Sequence, residues 1–464
     1  MLPARQTGEA QDRQNKLMAK LESFIFGNLV VTAILAVLAY GTVEPWSLAL
    51  FELNALLVAA LLAVRFTFDS QPEIGNWRLA LPLFALAGLG LVQFVSFGAK
   101  ISSAAPPEEW PQAWLTQSVI SLDSQATKEA TVKLLAMAIY FIAALHTLRS
   151  SERRRKVLIV LTVFGFAVSV FAILQRLTYN GKMYWIRPVS PYIAPYGPYG
   201  NYNHFAGFVE LILPLPLAYL LFARINFEQR MLWLIGVILM AVALILSGSR
   251  GGVLALGVEL LAMMLIAVWA QRQGLQAEFS LAGNKLIAGG ALAAVLLLVL
   301  WIGYEPLSQR FSLLRQGSSE YSLVTRTEYW RGAWKMIQAH PVAGVGLGAF
   351  PTAYPAYGRS SVKNERLEHT HNDYLQLLTD AGLIGGLIGI WFLAELVRLA
   401  GRQFRQLKQM RTQERALILG GYVAVLGIAV HSFLDFNLQI AANALLFLLV
   451  LAMTVSPISP KEEI

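Results

Sequence analysis

The chain has 464 residues, of which 56% are hydrophobic and only 14% charged. Soluble proteins carry charge at about one residue in four, and apolar runs long enough to cross a bilayer, about twenty residues each, recur along the whole length, so a water-soluble core is excluded. The net charge of +9 comes without a basic tail interleaved with aromatics, and cysteine is absent; the charge reads as loop charge that sets topology rather than a nucleic-acid surface, and no disulfide framework or thiolate metal site exists.

In chain order, the first twenty or so residues are polar and the first apolar run is long enough to remain as a span, so no cleavable signal is expected. The hydropathy pattern predicts an all-α integral membrane protein with about twelve transmembrane helices. They fall near 22–40, 46–64, 79–98, 130–148, 157–175, 203–223, 231–247, 252–270, 285–303, 376–397, 416–434 and 439–455. The sixth contains Pro214 and Pro216 and is expected to kink. The tenth carries Gly382, Gly385, Gly386 and Gly389, which permit close approach.

Basic residues alternate between loops. Arg149, Arg153, Arg154, Arg155 and Lys156 fill one loop; Arg398, Arg402, Arg405, Lys408, Arg411 and Arg415 fill another. An even number of predicted spans separates the two, so they share a side, and by the positive-inside rule that side is the cytoplasm. Both termini are expected there, in keeping with Arg5, Arg13, Lys16 and Lys20. Two long loops, 99–129 and 304–375, then lie on the periplasmic side, the second between helices 9 and 10.

Three features on that side depart from topology. Arg250 sits in Ser249-Arg250-Gly251-Gly252, a turn at the membrane edge where a cation is costly unless it snorkels or is paired; it is either a snorkelling arginine or an anion site, with the glycines letting a phosphate approach the following helix start. Arg326 begins a stretch expected to form an amphipathic helix over 325–339, ended by His340-Pro341. Trp330, Ala333, Trp334 and Ile337 make its apolar stripe, expected to face the membrane, and Arg331 and Lys335 read as ordinary interfacial cations. Finally, His369 and His371 precede the tenth helix, with Asn372 or Asp373 positioned to cap it. A histidine there is a cap, a packed ring or a proton acceptor near neutral pH. The alternation of His369, His371 and Asp373 would suit a metal only on a strand, and no further Cys or His completes a site; no metal is expected.

Taken together these residues resemble the O-antigen ligase family, whose shared domain also occurs in O-antigen polymerases and some protein O-oligosaccharyltransferases. The ligase hallmark, His then Asn, Ser or Gln, nine residues, then Gly-x-x-Gly, reads here His371-Asn372 to Gly382-Leu383-Ile384-Gly385. The Ser-Arg-Gly-Gly turn, the Arg326/Trp330 pair, the stretch Pro341, Gly344, Gly346, Gly348, and Asn201 to Gly207 match in order. The similarity covers residues 195–440, including the 304–375 loop. It leaves 1–21 as a cytoplasmic segment, 22–194 as five further helices, and 441–464 as the last helix and tail.

The resemblance implies a glycosyltransferase of the bacterial inner membrane with its active site facing the periplasm. Its donor would be a glycan on undecaprenyl diphosphate, and its acceptor a sugar hydroxyl on lipid A-core or on a second glycan. It implies His371 as the catalytic base and Arg250 and Arg326 as diphosphate ligands, with Asn372, Asn203, His204, Trp330 and Arg331 as candidates for substrate contact. The expected reaction is a single inverting displacement without metal, nucleotide or other cofactor. The family motifs favour a ligase slightly over a polymerase and do not separate the two. An aromatic-rich loop, Tyr184, Trp185, Tyr192, Tyr196, Tyr199 and Tyr202, is either a sugar platform or an interfacial belt. A twelve-helix transporter is the rival class, but the major-facilitator plan expects a 6+6 repeat, and the loop between spans six and seven is short. A membrane scaffold would leave the external arginines and His371 unexplained.

Overall fold

The structure, a computed structural model, describes residues 4–69, 73–95, 120–189, 195–275, 321–358 and 367–456. The predicted ninth span at 285–303, much of the 99–129 loop, and Tyr192 lie outside the described residues.

The described chain is helical apart from one small hairpin. The helices are α1 (Ala4–Leu38), α2 (Pro45–Thr67), α3 (Leu81–Phe94), α4 (Ser124–Thr147) and α5 (Ser151–Leu177). The antiparallel hairpin β1 (Lys182–Met183) and β2 (Arg187–Pro188) follows. Then come α6 (Tyr202–Ile212), α7 (Pro214–Phe222), α8 (Phe227–Ser247), α9 (Arg250–Arg272), α10 (Tyr321–Ala339), α11 (Phe350–Ala353), α12 (Asp373–Gln406), α13 (Thr412–His431) and α14 (Ala441–Val455). Among the described residues ten helices are long and apolar enough to cross a membrane, counting α6 and α7 as one, and α14 is a shorter apolar helix.

Apolar sequence alone does not set where these helices begin. Side-chain caps do: Asp123 accepts from Ala126 N at 3.0 Å, Asn226 from Gln229 N at 2.8 Å and Ser249 from Gly252 N at 3.1 Å. Between α6 and α7 the helix is interrupted at Leu213, where Pro214 and Pro216 remove two backbone donors. That pair is nevertheless the hub of the bundle, with nearly all of its residues buried. Helix α13 packs most heavily on α7 and α9, and α3 packs on α4. By contrast α12 turns Leu383, Leu387, Ile390, Leu393 and Val397 outward, as a lipid-facing helix must.

One end of the bundle gathers the arginines of both basic loops. Arg154, 1% exposed, pairs with Glu414 at 2.7 Å and donates to the Ser456 carbonyl at 2.6 Å. Arg153 pairs with Glu22. The loops that the charge pattern assigns to one side therefore meet there, together with the polar stretch of α1 and the end of α14. The apolar turn between α1 and α2 lies at the opposite end, where Gly41 packs under Tyr199 and Ile440.

Candidate functional site

At that opposite end the segment before α12 is stitched to the connection between α13 and α14. Asn372 caps α12, its Oδ1 accepting from Tyr374 N and Leu375 N at 3.0 Å each, while its amide donates to the Phe433 carbonyl at 3.1 Å. Asp373 N donates to Ser432 O at 2.9 Å, and the Asp373 carboxylate accepts from Ser432 Oγ at 2.8 Å. The Tyr374 hydroxyl donates to Ala429 O at 2.8 Å. These bonds fix His371 against residues 431–436. Asn372 is thereby committed to capping and bridging.

His371 has a positive φ of 52°, a left-handed conformation that only its surroundings can hold in a non-glycine residue. Its Nδ1 lies 3.3 Å from Oδ1 of Asp435, which is fully buried, while the imidazole itself is 26% exposed. Tyr329 stacks on one face of the ring and Phe436 meets it edge-on, with centroids at 6.3 and 4.9 Å. Burial works to raise the Asp435 carboxyl, yet the adjacent His371, then His204 and His431, hold it below the usual carboxylate range. A buried carboxylate behind one imidazole nitrogen fixes the orientation of the ring. The opposite nitrogen, Nε2, is then the one suited to take a proton.

Four of the six histidines gather here. His204 and His369 both pack on Phe436, at 4.9 and 4.4 Å. His431 Nδ1 sits 2.9 and 3.1 Å from the two oxygens of Glu210. Among the described residues no three His, Asp or Glu side chains are arranged to hold a metal ion.

Both sequence-predicted arginines border the same cluster. Arg250, exposed, opens α9, and the His431 ring packs so closely over Gly251 that a Cβ there would lie 2.6 Å from it. The bare backbone of this turn thus admits a histidine side chain, where the sequence suggested room for a phosphate. The charge of Arg326 reaches His431. Trp330 Nε1 donates to the Thr370 carbonyl at 3.1 Å, tying α10 to the histidine segment. Arg331 is exposed. Asn203 and His204 are both 7% exposed at the start of α6, and His204 Nε2 is buried without a partner among the described residues.

The buried stripe of α10 is Tyr329, Ala333 and Met336, packed on Val345, Phe350 and Tyr354, while Trp334 of the expected apolar stripe is 55% exposed. One expectation is corrected. Of the aromatic loop, Tyr196 and Tyr199 are core residues, and Tyr199 donates to Asn443 at 2.7 Å, so they present no sugar platform.

The Pro341–Gly348 stretch proves to be a structural wedge. Gly382 breaks α12 with φ 59° and ψ −155°. The loop docks into the break: Leu383 N donates to Pro341 O at 2.8 Å, Ile384 N to Val342 O at 3.1 Å and Val345 N to Thr379 O at 2.9 Å. Gln93 locks the joint, donating to Ala343 O at 2.7 Å and Asp380 O at 2.8 Å.

Sequence reasoning missed Asp435, His431 and Glu210. The signal was present: a histidine and an aspartate four residues apart where one apolar span ends and a short connection begins, and a carboxylate inside an apolar span, which is functional by default. Running the eleventh span to 434 placed His431 inside it and left Asp435 in a turn of a few residues.

The molecule is thus a polytopic helical membrane protein with a histidine–carboxylate site, bordered by arginines, at the end of the bundle opposite the basic loops. Residues 235–390 match the family model described as O-antigen ligase. The match takes in Arg250, Arg326, His371 and Gly382 and stops short of Asp435. A comparison with curated proteins found no match.

Proposed function

We propose that the protein transfers a glycan from a lipid diphosphate to an acceptor sugar hydroxyl on the periplasmic face of the bacterial inner membrane, as an O-antigen ligase. A polymerase of the same family is the alternative. The observation that carries this reading is the His371–Asp435 pair: an exposed-edge imidazole held off its relaxed backbone against a buried carboxylate, in a chain that matches this family's model.

In the proposed step the acceptor hydroxyl attacks the anomeric carbon. The bond from that carbon to the diphosphate oxygen breaks, a new bond to the acceptor oxygen forms, and the configuration inverts. His371 Nε2 receives the hydroxyl proton while Asp435 stabilises the resulting imidazolium. Arg250 and Arg326 hold the departing diphosphate; guanidinium binds phosphate through paired bonds and stays charged. Because the two arginines neutralise the leaving group, the reaction needs no metal. Asn203, His204, Trp330 and Arg331 are the candidates for substrate contact, and Trp330 also ties α10 to the histidine segment.

The test is reconstitution with undecaprenyl-diphosphate glycan and two acceptors, lipid A-core and a second lipid-linked glycan. Glycan on lipid A-core, slowed about 100- to 10,000-fold in His371→Ala, is the expected result. A ladder of longer lipid-linked glycans would make the protein a polymerase with the same base. A His371→Ala variant as active as wild type would overturn the mechanism.

A further inference from the structure

A groove of about 320 Å³ opens between α3, α4, α12 and α14, at the small end of the range for small-ligand pockets, roughly 300–1,000 Å³. Its walls are apolar and run along the bilayer-spanning helices, with Leu83, Leu134, Ile388, Phe392 and Phe447 among them. Its floor is polar, formed by Lys133, His369, Asp373, Gln376 and Asp380. Lys133, Gln376 and Asp380 carry no motif in the sequence.

The floor carries hydrogen-bonding capacity that the protein leaves unused. Asp380 and Asp373 are 6% and 8% exposed. Asp380 Oδ2 accepts from Gly348 N at 3.2 Å and Gln376 Nε2 at 3.0 Å. Asp373 Oδ2 accepts from Ser432 Oγ and Leu438 N. The second oxygen of each carboxyl, and Nδ1 of His369, are buried without a partner among the described residues. Lys133 Nζ donates to the Gln439 carbonyl at 3.2 Å, and an ammonium has three protons to give. Buried polar atoms are ordinarily satisfied, so unfilled acceptors beside a spare donor mark a place for a ligand.

The chemistry of that ligand follows from the mixture. A phosphate offers only acceptors and meets two carboxyl groups here. A sugar hydroxyl both donates and accepts, which suits carboxyl oxygens and an ammonium side by side, and the apolar walls suit a lipid tail. The candidate base lies two ring contacts from the groove: His369 lines it, His369 packs on Phe436, and Phe436 packs on His371. Arg326 is on the helix whose Tyr329 stacks on His371, and its charge reaches His431.

We infer that this groove is the acceptor site, taking the sugar of a lipid-anchored glycan with its hydroxyls on Lys133, Asp373 and Asp380 and its tail against Ile388, Phe392 and Phe447. The acceptor role rests on the transfer reading above; the sugar site does not.

The probes are dodecyl glucoside and dodecyl phosphate carrying the same photoreactive group at the chain end, added to the full-length protein in nanodiscs. Crosslinked peptides are then mapped by mass spectrometry. The expected result is saturable glucoside labelling of α3, α4, α12 and α14, competed by unlabelled dodecyl glucoside, with dodecyl phosphate labelling far weaker. Lys133→Met weakens apparent affinity about tenfold, the loss of one charge-assisted hydrogen bond. Ile388→Trp fills the apolar wall without touching the floor and abolishes labelling; it decides the matter should Lys133→Met lose its cooperative thermal transition. Equal labelling by the phosphate probe, or labelling indifferent to both substitutions, overturns the sugar site. His371→Ala is expected to label like wild type. Groove labelling by a protein inactive in every transfer assay would leave the sugar site standing and overturn its acceptor role.

Discussion

At the residue scale, the histidine cluster sets a pH dependence. His369 packs on Phe436, and burial first, then the charges of Lys133 and His371, push its imidazole down to about 3. An unfolded histidine titrates near pH 6.5. Between these values the unfolded chain binds the extra proton, so stability rises with pH across that window and falls on acidification. Asp435 acts in the same direction, in a lower window. Its folded carboxyl is held low, so its stabilisation is complete above about pH 4, the unfolded aspartate value, and is lost only as pH falls further. Thermal melting in detergent is therefore expected to drop between about pH 6.5 and 4 in wild type, and His369→Gln is expected to flatten that slope. An unchanged slope in His369→Gln would place the titrating group elsewhere.

At the scale of elements, the family's glycine stretch acts through packing. Gly344 has φ 71°, and a Cβ there would overlap the Asp380 carbonyl, which is backbone and cannot swing aside. Gly382 has φ 59° and faces the Val342 carbonyl from the other side of the same joint. Both positions demand a missing side chain twice over, for conformation and for space. Gly344→Ala is expected to destabilise by about 2 kcal/mol or more, read as a lower denaturation midpoint, and to disturb His371 through α12. A Gly344→Ala protein as stable as wild type would show that the wedge is not seated as described. From sequence, the repeated glycines of the tenth span suggested helices in close approach. The actual partner is a loop entering a broken helix, a contact between positions about forty residues apart that no local pattern encodes.

At the scale of the molecule, most of the architecture is legible because bilayer thickness converts hydropathy into helix positions. Each described helix of sufficient length overlaps a predicted span. The interruption of the helix at Leu213 is legible as well, because proline removes a donor wherever it falls. The site is legible only where it follows a motif: His371, Arg250 and Arg326 stand in recognisable patterns, and all three border one cluster. Asp435 and His431 escaped because their meaning depends on which helices neighbour them. The Arg154–Glu414 pair, buried at the basic end, shows how charges that first read as topology also fasten the loops. The cytoplasmic assignment of that end is open to direct measurement, since the chain lacks cysteine. A single cysteine at Glu368, near the histidines, is expected to react with a membrane-impermeant maleimide in intact cells, and one at Glu152, beside Arg153, only after permeabilisation. The opposite pattern would invert the protein.

The central claim is that His371 and Asp435 act as one acid–base unit. The measurement is the rate of glycan transfer by His371→Ala, Asp435→Asn and the double variant, each checked for a wild-type melting profile. Groups that work as a unit lose their effect together. Each single change is expected to slow transfer at least about a hundredfold, with the double variant no slower than His371→Ala. Independent losses that multiply in the double variant, or an Asp435→Asn enzyme at the wild-type rate, would contradict the account.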